Sequence, residues 1–323
     1  MWKYTTKKVC NDYLLSLFSF DLISSNQETL KLLYKISNNQ EKYYHVIKIK
    51  KKSGGYRTIY QPSPSLKYIQ KTILDKVLKE KSISKYAKAY YNGASLIANA
   101  KPHLNQKIIL KLDIKDFFPN TNYLTIYKAC FSKELYPISI GTLFTNLCTY
   151  KDFLPQGSVT APYISNLVLK DFDNDIGTFC QERNINYTRY CDDMTFSGNF
   201  DPRVIIKYVA SKLHKMGYEL NKKKIHIITN NKRQEVTGIV VNKKLQVPKN
   251  YRRKIRQEVY YIVKYGLNSH LERNNILDKE AYIRSLYGKI LYVLQIDPSN
   301  KKFIKYKELI SLELNKIYHQ KEK

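Results

Sequence analysis

The run Tyr187-Thr-Arg-Tyr-Cys-Asp-Asp-Met-Thr-Phe-Ser197 constrains the fold more than any other stretch of this 323-residue chain. It reads as two short strands, aromatic and Thr-rich, with Asp192 and Asp193 at the bend between them. Adjacent carboxylates repel, so a fold that keeps them together has a cation there to neutralise them. Taken alone, an Asp-Asp pair in a turn is the mark of a solvated loop tip. A second segment changes that reading. Lys107-Ile-Ile-Leu-Lys-Leu-Asp-Ile-Lys-Asp-Phe-Phe-Pro119 is β-rich up to Asp113, and Asp116, two Phe and a strand-stopping Pro follow. One carboxylate at a strand end and two on a hairpin, meeting across a sheet, are what two-metal phosphoryl transfer requires. Oxygen ligands suit the hard Mg2+ ion, and the two ions of such a site sit about 3.5–4 Å apart.

Charge points the same way. With 56 Lys+Arg against 27 Asp+Glu, the chain carries a formal +29. Such an excess implies a polyanionic partner, because each phosphate neutralised releases counterions and adds salt-sensitive affinity. The 29 Tyr offer flat faces for stacking on bases, and a hydrophobic content of 43% excludes a disordered chain. No apolar run is long enough to span a bilayer, so no membrane partner is expected. Tyr13–Phe20 follows Lys3, Lys7 and Lys8 and faintly imitates a signal peptide. Asp12 and Asp21 bracket it and no small-residue cleavage site follows, so an amphipathic helix packed on the body is expected instead. The cysteines (Cys10, Cys130, Cys148, Cys180, Cys191) show no C-x-x-C pairing, which fits a reducing cytoplasm and no zinc site.

Along the chain, residues 1–42 are helix-prone. Tyr43–Lys50 and Tyr56–Tyr60 read as strands joined by Lys51-Lys-Ser-Gly-Gly55, a turn that Gly54-Gly55 permits. Its lysines, with Lys50 and Arg57, read either as protection of an exposed edge or as a basic flap over a triphosphate. Ser63-Pro-Ser65 opens a helix whose core stripe is Leu66, Ile69, Ile73 and Val77. Asn99–His103 reads as a polar loop, Leu154–Pro162 as a turn cluster, and Tyr163–Phe172 as a helix. Val204–Met216 is expected to be helical with Gly217 as its C-terminal stop, and Leu220–Ile225 and Val236–Val241 to be strands. Beyond about residue 245 the pattern is purely helical, with a change of subdomain near Pro248. The first helix there places Arg252, Arg253, Lys254 and Arg256 within about a turn and a half. Such a run is either a solvated face or a surface lying along a nucleic-acid backbone.

Taken in order, Leu112–Pro119, Leu154–Pro162 with Asn166, Tyr190–Asp193 and Leu220–Ile225 resemble the motifs of a reverse transcriptase. Arg57-Thr-Ile-Tyr60 with Pro62 matches the family's fingers motif. Two details are similar to the bacterial retron reverse transcriptases in particular: Asn99-Ala100-x-x-His103 before the first catalytic Asp, and Val236-Thr237-Gly238 beyond the hairpin. Ser285–Pro298 is also similar to the family's thumb.

The resemblance implies an α+β right-hand polymerase fold. An N-terminal helical extension (1–42) precedes fingers (43–110, with interspersed palm elements), a catalytic palm with an antiparallel sheet (111–245) and a helical thumb (246–323). It implies that Asp113 and Asp192 hold two Mg2+ ions with Asp193 assisting, and that the Ile114 carbonyl is a further ligand. Lys50 and Arg57 would meet the triphosphate of a dNTP, Gln156 and Gly157 would line its pocket, and Phe118 would crowd a ribose 2′-hydroxyl. Arg252, Arg253, Lys254 and Arg256 would contact nucleic acid. In retrons the template and primer are one structured non-coding RNA. DNA grows from a guanosine 2′-hydroxyl of that RNA to give a branched RNA–DNA hybrid, msDNA, and an effector protein encoded nearby acts with it in anti-phage defence. Two other readings stay open: a group II intron-like or diversity-generating reverse transcriptase, and a non-catalytic RNA-binding protein.

Overall fold

The computed structural model describes residues 5–19, 25–51 and 54–321. Lys3, Phe20, Asp21, Lys52 and Ser53, named above, lie outside the described residues. The chain divides into two compact units. The first comprises Met1–Ala94, Leu110–Phe196 and Phe200–Ile227; the second comprises Ser95–Ile109, Ser197–Asn199 and Ile228–Lys323.

Eight strands are present among the described residues: β1 (Tyr44–Lys50), β2 (Tyr56–Pro62), β3 (Ile108–Asp113), β4 (Asn186–Tyr190), β5 (Asp193–Gly198), β6 (His226–Thr229), β7 (Glu235–Val236) and β8 (Ile239–Val240). β1 and β2 form an antiparallel hairpin in which Ile49 faces Arg57 and Lys50 faces Tyr56. The central sheet has the order β4-β5-β3-β6. Between β4 and β5 the chain reverses through Cys191-Asp192, and Cys191 takes a positive φ of 62° there. Strands and helices are mixed as the α+β class requires.

Helices cover the first unit's core. Lys7–Leu17 starts at Thr6, whose hydroxyl accepts from the Val9 amide, and buries Cys10 and Leu14. Pro64–Ile73 starts at Ser63 with Pro64 in the first turn, where its missing N–H costs nothing. Its stripe Leu66, Ile69 and Ile73 is fully buried. Pro202–Lys215 ends as the sequence suggests, with Gly217 at a φ of 80° just beyond it.

Four local expectations are corrected. Asn99–His103 is no polar loop: Leu96–Ala100 is a short helix capped by Ser95, and Lys101–His103 continues it as a tighter 3-10 turn. Burial is tolerated because the polar heads find partners, Asn99 Nδ2 donating to Thr237 Oγ1 at 3.4 Å and His103 Nδ1 lying 2.8 Å from Ser197 Oγ. Tyr163–Phe172 is broken at Leu169, between the helices Ala161–Val168 and Lys170–Gln181, without a Gly or Pro to announce it. Leu220–Ile225 is not a strand. Only Leu220 pairs, in an antiparallel bridge with Ile114; Lys222–Lys224 then form a 3-10 turn, from which the Lys224 side chain reaches Asp113, and β6 begins only at His226. Val236–Val241 is a hairpin of two-residue strands. Its turn, Thr237 (φ 46°) and Gly238 (φ 82°), has the two positive φ angles of the type I′ class.

The second unit holds the short helix Leu96–Ala100, the hairpin β7–β8 and, in its C-terminal part, the helices Lys249–Tyr265, Leu267–Arg273, Lys279–Ile296 and Lys301–Lys321. The C-terminal helices share a core that includes Ile255, Val259, Leu271, Leu286, Ile290 and Phe303.

Gly177 gives a test of packing in the first unit. It sits inside the helix Lys170–Gln181, and a Cβ there would overlap the ring of Tyr86. Replacing a helical Gly by Ala gains about 1 kcal/mol of propensity, whereas forcing an extra methyl into a filled site costs about 1–3 kcal/mol. Gly177→Ala is therefore expected to lower stability in urea unfolding; a gain would show that Tyr86 swings aside freely.

Candidate active site

Three carboxylates converge where β3 and the β4–β5 turn meet. Asp113 is the last residue of β3 and is buried, Asp192 closes the turn, and Asp193 opens β5. One oxygen from each lies within 4.8 Å of the others. Backbone bonds fix this convergence: the Ile114 amide donates to the Asp192 carbonyl at 3.3 Å, and the Asn221 amide donates to the Asp113 carbonyl at 2.8 Å.

Electrostatics follow from the geometry. Burial and the neighbouring Asp113 charge raise the Asp192 carboxyl above its ordinary range. Burial, Asp192 and Asp113 together push Asp193 up to about 6. Arg57 and Lys224 both act on the cluster, and Lys224 is bonded to it directly. Lys224 Nζ stands 2.7 Å from Asp113 Oδ1, and Asn221 Nδ2 donates to Asp113 Oδ2 at 3.1 Å. Burial pulls against the Lys224 ammonium, yet the hydrogen bond and charge of Asp113 hold it above its ordinary value. Three carboxylates against the Lys224 ammonium and the Arg57 guanidinium still leave negative charge in excess in a hard-oxygen donor set, which fits a divalent cation.

Beside the acids opens a strongly polar cavity of about 360 Å3. Arg57, Gln156, Ile114, Asp113, Asp192 and Lys224 line it. The basic residue of the β1–β2 turn on its wall is Lys51; Lys50, one position earlier, faces Tyr56 across the hairpin and is not part of the lining. Phe117 and Pro119 line the cavity, while half-buried Phe118 packs edge-on against Phe117 at 5.6 Å. The Gln156 carbonyl accepts from the Tyr60 amide at 2.7 Å. Gly157 has a φ of 110°, and a Cβ there would stand 2.7 Å from Ile59 Cγ2 and 2.9 Å from the Tyr60 carbonyl oxygen. Glycine at 157 is thus required by the approach of β2 and by its own backbone.

The two segments that narrow the resemblance meet in the second unit. Asn99 reaches Thr237 across 138 positions of sequence, and Ala100 packs in one cluster with Val236. The basic quartet of the first C-terminal helix divides. Arg252 is tied down, with Nε donating to the Val247 carbonyl at 3.0 Å and a second nitrogen to Gln246 Oε1 at 3.1 Å. Arg253 and Lys254 are exposed, and Arg256 is half-buried.

Residues 49–248 match the family described as Reverse transcriptase (RNA-dependent DNA polymerase). The Retron Ec86 reverse transcriptase of Escherichia coli is 29% identical over 283 residues, covering 86% of this chain and 84% of that one. The Retron Ec83 reverse transcriptase of the same species is 32% identical over 256 residues, covering 72% and 80%. The chain belongs to the retron reverse transcriptases. It is an RNA-directed DNA polymerase with an RNA template as partner and the α+β fold of the right-hand polymerases. Among solved structures, apo telomerase from Candida Tropicalis has a TM-score of 0.46 at 11% identity over 84% of this chain and 58% of that one, a likeness too distant to bear on function. No helix of the described residues is long and apolar enough to cross a membrane.

One residue of this reverse transcriptase that sequence reasoning missed is Arg189. Its side chain and that of Asp173 are both fully buried and form an ion pair at 2.6 Å. The guanidinium also donates to the Cys191 carbonyl at 2.7 Å and to Asn166 Oδ1 at 3.3 Å, while Tyr187 donates to Asp173 at 2.7 Å. Arg189 therefore pins the strained residue that aims Asp192. An Arg between Thr188 and Tyr190 in a short aromatic strand was the only signal available. Removing one partner of a buried pair costs about 3–5 kcal/mol, because the other charge is left without compensation. Arg189→Met is expected to lose stability on that scale in denaturant unfolding. A loss under about 1 kcal/mol would show the pair to be solvated.

Proposed function

We propose that this reverse transcriptase copies its own structured non-coding RNA into msDNA, priming from a guanosine 2′-hydroxyl, and acts in anti-phage defence with an effector protein encoded nearby. The convergence of Asp113, Asp192 and Asp193 beside a cavity with cationic walls carries the catalytic part of this reading. Its retron part is supported by the meeting of Asn99-Ala100-x-x-His103 with Val236-Thr237-Gly238 and by the retron relatives.

Asp113, Asp192, Asp193 and the Ile114 carbonyl would hold two Mg2+ ions, which supply Lewis-acid activation of the primer hydroxyl and neutralise charge on the departing pyrophosphate. The chain's own residues position and balance charge. Arg57 and Lys51 face the triphosphate, with Lys50 behind them on the hairpin. Lys224, released from Asp113, offers its ammonium to the phosphates. Gln156 and the close-packed Gly157 shape the base pocket. Phe118, backed by Phe117, limits room at the sugar. Arg253, Lys254 and Arg256 meet nucleic-acid phosphates, while Arg252 braces the helix that carries them.

Two measurements test this. In wild-type preparations, RNase treatment of co-purified nucleic acid is expected to leave short DNA joined through a 2′–5′ branch. Asp192→Asn is expected to leave none and to lose the rise in melting temperature that Mg2+ gives the wild type. Linear DNA, or equal yield from Asp192→Asn, would refute the assignment. For sugar selection, Phe118→Ala is expected to lower the ratio of kcat/KM for a dNTP over its rNTP by about tenfold or more. An unchanged ratio would leave Phe118 a packing residue and shift the role to Phe117.

A further inference from the structure

In the second unit, the helices Lys249–Tyr265 and Leu267–Arg273 turn about Gly266 and line a half-open recess of about 390 Å3. That volume lies within the range of about 300–1,000 Å3 typical of small-ligand sites and holds one base with its sugar. At 3.6 residues per turn, Lys254, Glu258, Tyr261 and Tyr265 share a face of the first helix. Arg252 and Arg256 lie on the other side of the buried stripe Ile255, Val259 and Ile262, so the cavity is separate from that part of the basic run. Ser269, His270, Arg273 and Asn274 form the facing wall.

Its floor is a hydrogen-bonded network. Buried His270 has Nε2 2.8 Å from the Tyr282 hydroxyl, which donates to Glu258 Oε2 at 3.2 Å. Lys289 also reaches Glu258, at 3.4 Å, so the carboxylate on the wall is already engaged by a hydroxyl and an ammonium. Asn274 Nδ2 donates to the His270 carbonyl at 2.7 Å, holding the second helix's end in place. Tyr261 lies nearly parallel to the imidazole, with ring centroids 6.2 Å apart and 22° between planes. Lys254 and Arg273 stand exposed at the rim. Lys264 sits over the Tyr265 ring, 5.1 Å from its centroid, and reinforces the positive potential.

We propose that this cavity receives one unpaired nucleotide of the bound RNA, a proposal that rests on the RNA-templated function above. The base lies against Tyr261, its polar edge faces Gln257, Ser269 and Asn274, and its phosphate meets Lys254 and Arg273. Aromatic faces, amide groups and paired cations in one recess are the combination that reads splayed-out bases. A paired base is disfavoured, since it would first have to unpair and unstack at a cost of about a few kcal/mol. The site therefore fixes a position along the RNA, which backbone contacts alone cannot do.

The test uses the full chain and an RNA of about a dozen nucleotides, within the span of single-strand sites, bearing one 5-iodouridine and offered single-stranded or annealed to its complement. Irradiation is expected to join the single-stranded probe to Tyr261 or Tyr265, identified by peptide mass spectrometry, and the duplex to neither. Tyr261→Leu is expected to weaken single-strand binding about tenfold and duplex binding less than about twofold, with Tyr261→Phe restoring it. Should Tyr261→Leu fail to fold, Arg273→Gln at the exposed rim makes the same comparison. Cross-links confined to other residues, or equal losses on both probes, would overturn the proposal. Wild-type extension of oligo(dT) on poly(rA), run in parallel, separates the two readings. Extension without the cross-link rejects the cavity alone, and the cross-link without extension rejects the polymerase reading while upholding the cavity.

Discussion

Like charges held close together govern this molecule. Three carboxylates within 4.8 Å cannot all stay ionised in a half-buried site without opposing charge, and the raised Asp192 and Asp193 carboxyls record that tension. The fold answers it at two distances. Next to the acids, the Lys224 and Asn221 side chains hold Asp113 from the turn that follows the Leu220 bridge. One layer behind, Arg189 and Asp173 anchor the hairpin on which the other two acids ride. Without the first, the acids repel; without the second, they lose aim. Both supports lie in the same compact unit as the acids, so the site's geometry is set locally.

Much of this was legible in the sequence. The β-rich run ending at Asp113 and the aromatic, Thr-rich run around the Asp192–Asp193 bend are strong local signals, because β-propensity and turn chemistry act over a few residues. The Ser63-Pro64 start and the Gly217 stop were equally local. What the sequence obscured was decided by contacts distant along the chain. The run Leu220–Ile225 has strand-like ends, yet Asp113 captures Asn221 and Lys224 from more than a hundred positions away. Asn99 and His103 look like loop residues until Thr237 and Ser197 supply partners that make burial affordable. The break at Leu169 carries no mark at all in the sequence, and its physical cause is not evident in the packing.

Site residues divide along the same line. A motif fixes which residue types recur together, but not which direction each side chain faces. Strand pairing sets Lys50 and Arg57 on opposite faces of their hairpin, since Arg57 stands across from Ile49 and Lys50 across from Tyr56. Counting charges on the first C-terminal helix likewise overstates its free cations, because Arg252 spends its guanidinium on Gln246 and Val247. Helical phase then distributes the remainder among different faces. A basic composition identifies the kind of partner; backbone geometry decides how many of those charges meet it.

The buried guanidinium at 189 also limits how this protein can change. A planar fork serves both oxygens of Asp173, the Asn166 side chain and the Cys191 carbonyl at once. Lysine, with one compact ammonium, keeps the charge but cannot span acceptors lying in different directions. An apolar residue strands Asp173, and changing Asp173 first strands the arginine. Every single exchange passes through an intermediate worse than either end, so the network is inherited or lost as a set. Drift is left to the solvent-facing positions of the same strands and helices.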